Sequence, residues 1–156
     1  MKTSEQGRKL LIERESLELK AYRDSEGYWT IGVGHLLSSD KNADFGSLVW
    51  SRGEAEQVFA EDLAKYEKAV NDSVRVSMKQ HQFDALVSFA HNVGVAGVMN
   101  SWVVRELNAG RLEAAAAAFD NWRKPAAIIT RRNAEREQFK GTRFVARWDE
   151  VKQVAV

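Results

Sequence analysis

The sequence predicts an α+β protein, mainly α, with a small N-terminal lobe carrying a β-hairpin and a larger helical lobe. Two changes of hydrophobic period predict it. Over residues 17 to 22 apolar and polar positions alternate, which is the period of a strand, and residues 17 to 35 read as a small antiparallel hairpin or meander; from residue 51 onward apolar positions recur at spacings of three and four, which is the period of a helix. Ahead of the strands, Thr3 followed by Gln6 reads as a capping box that opens a first helix, with Leu10, Leu11 and Leu17 on its inner side and an end near Glu15. Leu17, Leu19 and Ala21 then alternate with Glu18, Lys20 and Tyr22. Asp24-Ser25-Glu26-Gly27 is turn chemistry, and Tyr28-Trp29-Thr30-Ile31 returns as aromatic and β-branched residues. Ser51 with Glu54 is a second capping box, followed by Phe59, Leu63, Tyr66 and Val70 on one face. Ser77 with Gln80 is a third. It opens a helix through Phe83, Leu86, Val87 and Ala90, and further helices are expected over 98–108, 112–122, 128–138 and 145–154. The whole chain, 1–156, reads as one domain, its small β-containing lobe over about 15–60 and its helical lobe over 1–14 and 61–156.

Composition narrows the classes. The 156 residues are 44% apolar and 29% charged, ordinary for a soluble globular chain, and a single proline leaves little room for a linker. With no cysteine, disulfides and thiolate zinc sites are excluded. No apolar core of a secretory signal follows Met1 to Gln6, so the chain is expected to remain in the cytoplasm after synthesis. Ala85 to Val104 has no formal charge over a spanning length, but Ser88, His91, Asn92, Asn100 and Ser101 interrupt it; with Gly94 and Gly97 it reads as two short buried helices meeting at a turn, without membrane insertion. The net charge of +1 hides a segregation, since Asn121 to Arg147 holds eight Arg and Lys against Glu135 and Glu137. That stretch reads either as a solvated helical face or as a patch for an anionic polymer.

The chemistry is concentrated in Glu15 to His35. A hairpin centred on Gly27 sets Asp24 directly opposite Thr30, with Cβ atoms about 4.5–5.5 Å apart. A water held between a carboxylate and a hydroxyl is oriented and partly deprotonated, as an attacking nucleophile must be. Glu15, at a helix C-terminus, feels the negative end of the helix dipole, which disfavours its ionised form and suits a proton donor. An arginine from Arg131, Arg132 or Arg136 packed beside it would act the other way. Two carboxyl groups with opposed proton affinities are apparatus for splitting a glycosidic bond. His35 has no second histidine at i+4, so no metal site is expected; Gly32 and Gly34 lack the rest of a dinucleotide fingerprint and read as close backbone packing. No cofactor is implied.

Glu15, Leu17, Ala21-Tyr22, Asp24, Gly27, Thr30-Ile31-Gly32 and Gly34-His35 together resemble the phage-type lysozymes, the endolysins of glycoside hydrolase family 24, whose pattern is Glu, eight residues, Asp, five residues, Thr. Later runs match in order and spacing: Ala85 to Phe89, Asn92-Val93-Gly94, Asn100-Ser101, Leu107 to Gly110, Trp122, and Arg131-Arg132 with Glu135. The resemblance implies a two-lobed lysozyme-like fold that hydrolyses the bond between N-acetylmuramic acid and N-acetylglucosamine in peptidoglycan, in a cleft between the lobes and with inversion. It makes Glu15 the general acid, Asp24 and Thr30 the residues that place the water, and Leu36, His91 and Ser101 substrate contacts. It also suggests that His35 pairs with Asp62. A monomer is expected, acting on glycan strands with no nucleic-acid partner, held in the bacterial cytoplasm until a holin permeabilises the membrane and then working on the wall from the periplasm. The chain departs from the family at Ser16, where glycine usually follows the glutamate, and at Ala127-Ile128, where Gly-Leu usually precedes the paired arginines.

Three other functions compete. A muramidase fold without turnover would grip peptidoglycan or a protein partner. A lytic transglycosylase would form an anhydro sugar and have no use for Asp24 and Thr30. Nucleic-acid binding would rest on the basic stretch alone, with no helix-turn-helix or zinc pattern beside it.

Overall fold

The structure is a computed structural model and describes residues 1–141; the helix expected over 145–154 lies outside the described residues. Eleven α-helices and strands follow in the order α1 (Glu5–Glu15), β1 (Glu18–Arg23), β2 (Trp29–Gly32), β3 (His35–Leu36), α2 (Arg52–Asp62), α3 (Ala64–Ser73), α4 (Gln80–Val93), α5 (Val95–Met99), α6 (Trp102–Asn108), α7 (Leu112–Ala118) and α8 (Ile129–Lys140). The chain divides into two compact units. One is Ile12–Ala64; the other joins Met1–Leu11 to the chain from Lys65 onward.

In the Ile12–Ala64 unit, β1, β2 and β3 form an antiparallel sheet in chain order. Its two faces differ. Ile31 and His35 pair across β2 and β3, and Ile31 is fully buried. The His35 ring lies 5.7 Å from that of Trp50, and His35 Nδ1 is 2.7 Å from Asp62 Oδ2, the pairing the resemblance suggested. It fastens β3 to the last residue of α2. Gly32 packs as expected: a Cβ there would meet the Trp50 ring at 3.2 Å, at a φ of +69°. Gly34 has open space where a side chain would stand, so its requirement is the left-handed turn at φ +70° rather than close packing. Ser51 caps α2, its hydroxyl accepting from Glu54 N–H at 3.1 Å, as the sequence predicts.

The helical unit is built around α4, buried continuously from Gln82 to Ala90 and packed along α8. Phe119 stands between Phe89 and Phe139, with centroids 5.2 and 5.5 Å away. Gly94, at φ +91°, ends α4 where the sequence places a turn, whereas Gly97 lies inside α5 against the Val93 side chain. Four expected boundaries move. Ser4, not Thr3, caps α1: its hydroxyl accepts from Gly7 N–H and donates to the buried Asp84, while Thr3 hydrogen-bonds Glu67 through its N–H and its hydroxyl. α4 starts at Gln80 behind Lys79, whose N–H reaches Gln82 Oε1 at 2.8 Å, so Ser77 is no cap. The expected 98–108 helix is broken at Asn100-Ser101, and 112–122 is α helix only to Ala118, followed by a 3-10 turn over Phe119–Asn121.

Among its described residues, most cations of the basic stretch are paired or buried. Arg132 and Glu135 are both completely buried, with Arg132 Nη1 2.7 Å from Glu135 Oε1, and Arg132 also donates to Asn92 Oδ1 and lies over the Phe89 ring. Arg131 Nε is 3.4 Å from the same carboxylate oxygen, and its Nη2 donates to Ser88 O at 2.8 Å. Burial pushes the pKa of both guanidinium groups below the ordinary arginine value. Arg123 and Arg136 share Asp120, and Lys140 pairs with Glu137. Among the described residues no helix is long and apolar enough to cross a membrane.

Candidate active site

Glu15, Asp24 and Thr30 all fall in the Ile12–Ala64 unit. Glu15 is the last residue of α1 and half-buried. The helix ends there because Ser16 turns left-handed at φ 75°, its N–H still bonded to Ile12 O at 2.8 Å. This is the position after a helix that glycine ordinarily occupies.

Asp24 closes the β1–β2 turn with both its backbone and its side chain. Its N–H donates to Tyr28 O at 2.8 Å, and its Oδ1 accepts from Glu26 N–H and Tyr28 N–H, each at 2.9 Å. The side chain thus imitates a backbone turn, as aspartate does in tight loops. Among the described residues no hydrogen bond reaches Oδ2. Thr30 is buried in β2, and its hydroxyl donates to Tyr28 O at 3.1 Å. One carbonyl, that of Tyr28, therefore receives both the Asp24 N–H and the Thr30 hydroxyl.

The expected direct opposition of Asp24 and Thr30 does not occur. Thr30 stands opposite Tyr22, and Arg23 opposite Trp29, so the hairpin centres on residue 26 and β1 ends before Asp24. The five-residue turn held by the Asp24 carboxylate displaces the register at Thr30 by two positions, and an irregularity between Glu18 and Tyr22 shifts it again, so that of β1 only Ala21 is buried. On its other side Thr30 pairs with Leu36, which is half exposed. Tyr22, Thr30 and Leu36 thus form one row across the three strands, and Asp24 follows Tyr22 at the hairpin end.

Tyr22 was not among the residues singled out for chemistry. Its position two before Asp24 was the available signal, because residues i and i+2 of a strand share a face. Burial, then the carboxylates of Glu18 and Asp24, raises its phenol pKa.

The other expected substrate contacts belong to the helical unit. His91, near the end of α4, is half-buried and edge-on to Tyr66 with centroids 5.2 Å apart. Ser101 is 4% exposed and caps α6: its hydroxyl donates to Val98 O at 2.7 Å and accepts from Val104 N–H at 3.2 Å. Its hydrogen-bonding capacity is spent mainly on the helix start.

Comparison with known proteins identifies the family. A family model described as phage lysozyme matches residues 12–135. The endolysin of Salmonella phage P22 is 38% identical over 143 residues, covering 89% of this chain and 98% of its own. The endolysin of Bacillus phage PZA is 36% identical over 89% of this chain, which spans about half of that longer protein, 55% of its length. A crystal structure of a P22 lysozyme variant superposes with a TM-score of 0.83 at 37% identity, covering 90% of this chain and 99% of the other. With a family match across most of its length and a relative of nearly equal length, the chain belongs to the phage lysozyme family.

Proposed function

We propose that this muramidase-type glycoside hydrolase cleaves the β-1,4 bond between N-acetylmuramic acid and N-acetylglucosamine by a single displacement with inversion. The observation that supports the reading is that the Asp24 backbone N–H and the Thr30 hydroxyl both donate to the Tyr28 carbonyl, while Asp24 Oδ2 makes no hydrogen bond among the described residues. Because the Thr30 hydroxyl gives its proton to that carbonyl, its oxygen lone pairs are left to accept from a water. The open Asp24 Oδ2 accepts the second hydrogen of the same water. A water gripped by both hydrogens turns its own lone pair outward, toward the anomeric carbon. As the new C–O bond forms, Asp24 takes the proton.

Glu15 supplies the opposite half. It is the last residue of α1, where the chain turns at Ser16 toward the sheet that carries Asp24 and Thr30. In its protonated form it gives a proton to the leaving glycosidic oxygen, and at the end of the cycle it is restored from solvent. Inversion requires room for the water, so the two carboxyl groups should stand roughly 6.5–9.5 Å apart. Leu36, beside Thr30 on the sheet, offers an apolar surface to a sugar face. His91 is proposed as a glycan contact. Ser101 is proposed to act by fixing the start of α6.

A monomer that depends on a holin for release from the cytoplasm completes the proposal. Product analysis of digested peptidoglycan tests its core. Hydrolysis gives reducing ends that retain one added water, with the anomeric proton first appearing in the inverted configuration. An anhydro product would mean a transglycosylase, and retained binding with no new ends would mean a module that grips the wall.

A further inference from the structure

We infer that Arg23 is a positioning residue for Asp24, acting through the Gly27–Tyr28 peptide group. A peptide group is a rigid plane, so fixing its carbonyl fixes its N–H. Arg23 Nη1 donates to Gly27 O at 3.0 Å, and the N–H of the same peptide, on Tyr28, donates to Asp24 Oδ1 at 2.9 Å. A guanidinium that draws on the carbonyl oxygen also polarises the amide and strengthens its N–H as a donor. The carboxylate is thereby held from the far side of the plane by a residue that does not touch it.

The guanidinium is itself held. The same Nη1 donates to Lys41 O at 2.9 Å, and the group lies 4.6 Å over the Trp29 ring, the cross-strand partner of Arg23. Trp29 Nε1 donates to Ala43 O at 2.5 Å, and Lys41 Nζ sits 4.7 Å over the Tyr28 ring. The turn that carries Asp24 and the loop around residues 41–43 are therefore clamped by two cations on two adjacent aromatic rings. Arginine suits the task as lysine does not. Its planar fork stacks on an indole while donating in its own plane, whereas a lysine ammonium is a point donor.

The inference rests on the role proposed for Asp24 and concerns how its orientation is maintained. Replacing Arg23 by Met keeps the length of the side chain and removes the donors; replacing it by Lys keeps the charge. With a loosened carboxylate, kcat on purified peptidoglycan should fall about tenfold in Arg23→Met while KM stays within about twofold, because misplacing a reacting group costs rate rather than binding. Arg23→Lys should recover less than half of the loss. Amide hydrogen exchange measured by NMR gives a second readout that needs no activity. The Tyr28 amide should exchange at least about tenfold faster in Arg23→Met, with the Ile31 amide unchanged. A folded Arg23→Met with wild-type kcat, or with Tyr28 exchange as slow as wild type, would overturn the inference. Full recovery by Arg23→Lys would overturn the role of the planar fork. Should wild type release no reducing ends, the catalytic reading fails, and the exchange of Tyr28 still reports whether Arg23 holds the turn.

Discussion

Replacing Ser16 by glycine should stabilise the protein, because the backbone there has a shape that serine resists. Its φ of 75° lies in the left-handed region, which costs a residue with a Cβ about 1–2 kcal/mol. Glycine escapes that cost but brings a more disordered unfolded chain, worth about 0.4–1 kcal/mol in the other direction. The net gain is about 0.5–1 kcal/mol. Little else changes, since Ser16 is exposed and its hydroxyl makes no hydrogen bond among the described residues. For a chain of this size the gain corresponds to a rise in Tm of about 1–4 °C. Scanning calorimetry of wild type, Ser16→Gly and Ser16→Ala at one pH measures it. The alanine variant retains a Cβ and should melt within about a degree of wild type, while glycine melts higher. If glycine and alanine shift Tm equally, or glycine lowers it, the left-handed cost is not what Ser16 imposes.

Asp62→Asn should lower stability by about 1 kcal/mol, a modest sum because the His35–Asp62 pair is one-third exposed, while turnover stays near wild type; an unchanged Tm would remove the pair as a fastening of β3 to α2. Glu135→Gln should cost about 3–5 kcal/mol in urea denaturation, since it leaves the buried Arg132 and its neighbour Arg131 without their shared carboxylate. The double variant Arg132→Met with Glu135→Leu should recover part of that loss, and a Glu135→Gln protein as stable as wild type would mean the cluster is solvated. Tyr22 gives a prediction in pH. Its raised phenol pKa stabilises the fold fully below the ordinary phenol value of 10 and ceases to do so as pH rises through the folded value. In the alkaline range wild type should therefore lose more stability than Tyr22→Phe. An ultraviolet titration should lose in that variant a component lying above the ordinary phenol value; retention of that component would assign it elsewhere.

What the sequence made legible was local. Ser51 and Glu54 are three residues apart and the Ser51 hydroxyl accepts from the Glu54 N–H, so that cap could be read without knowing the fold. Ser77 misled because the pattern scores any Ser followed by Gln, whereas Lys79 uses Gln82 by a bond that the identity of the cap residue does not disclose. The candidate acid and base were legible through a spacing. Their geometry was not, because the Asp24 side chain spends itself on the turn and shortens β1. The basic stretch reads as surface in one dimension for a similar reason. Only the packing of α8 along α4 brings Asn92, Ser88 and the Phe89 ring to Arg131 and Arg132 and takes them out of water. Arg23 was invisible for the same cause, since its partners Gly27, Trp29 and Lys41 converge only after the loop has folded back.

The most direct test is the release of reducing ends from purified peptidoglycan by wild type and Glu15→Gln, compared at equal concentrations of folded protein. Glutamine keeps the shape of the side chain and cannot deliver the proton, so the variant should retain the wild-type circular dichroism spectrum and release no ends above background. Release by Glu15→Gln at the wild-type rate would contradict the assignment of Glu15 as the acid, and with it the division of labour between the end of α1 and the β1–β2 turn.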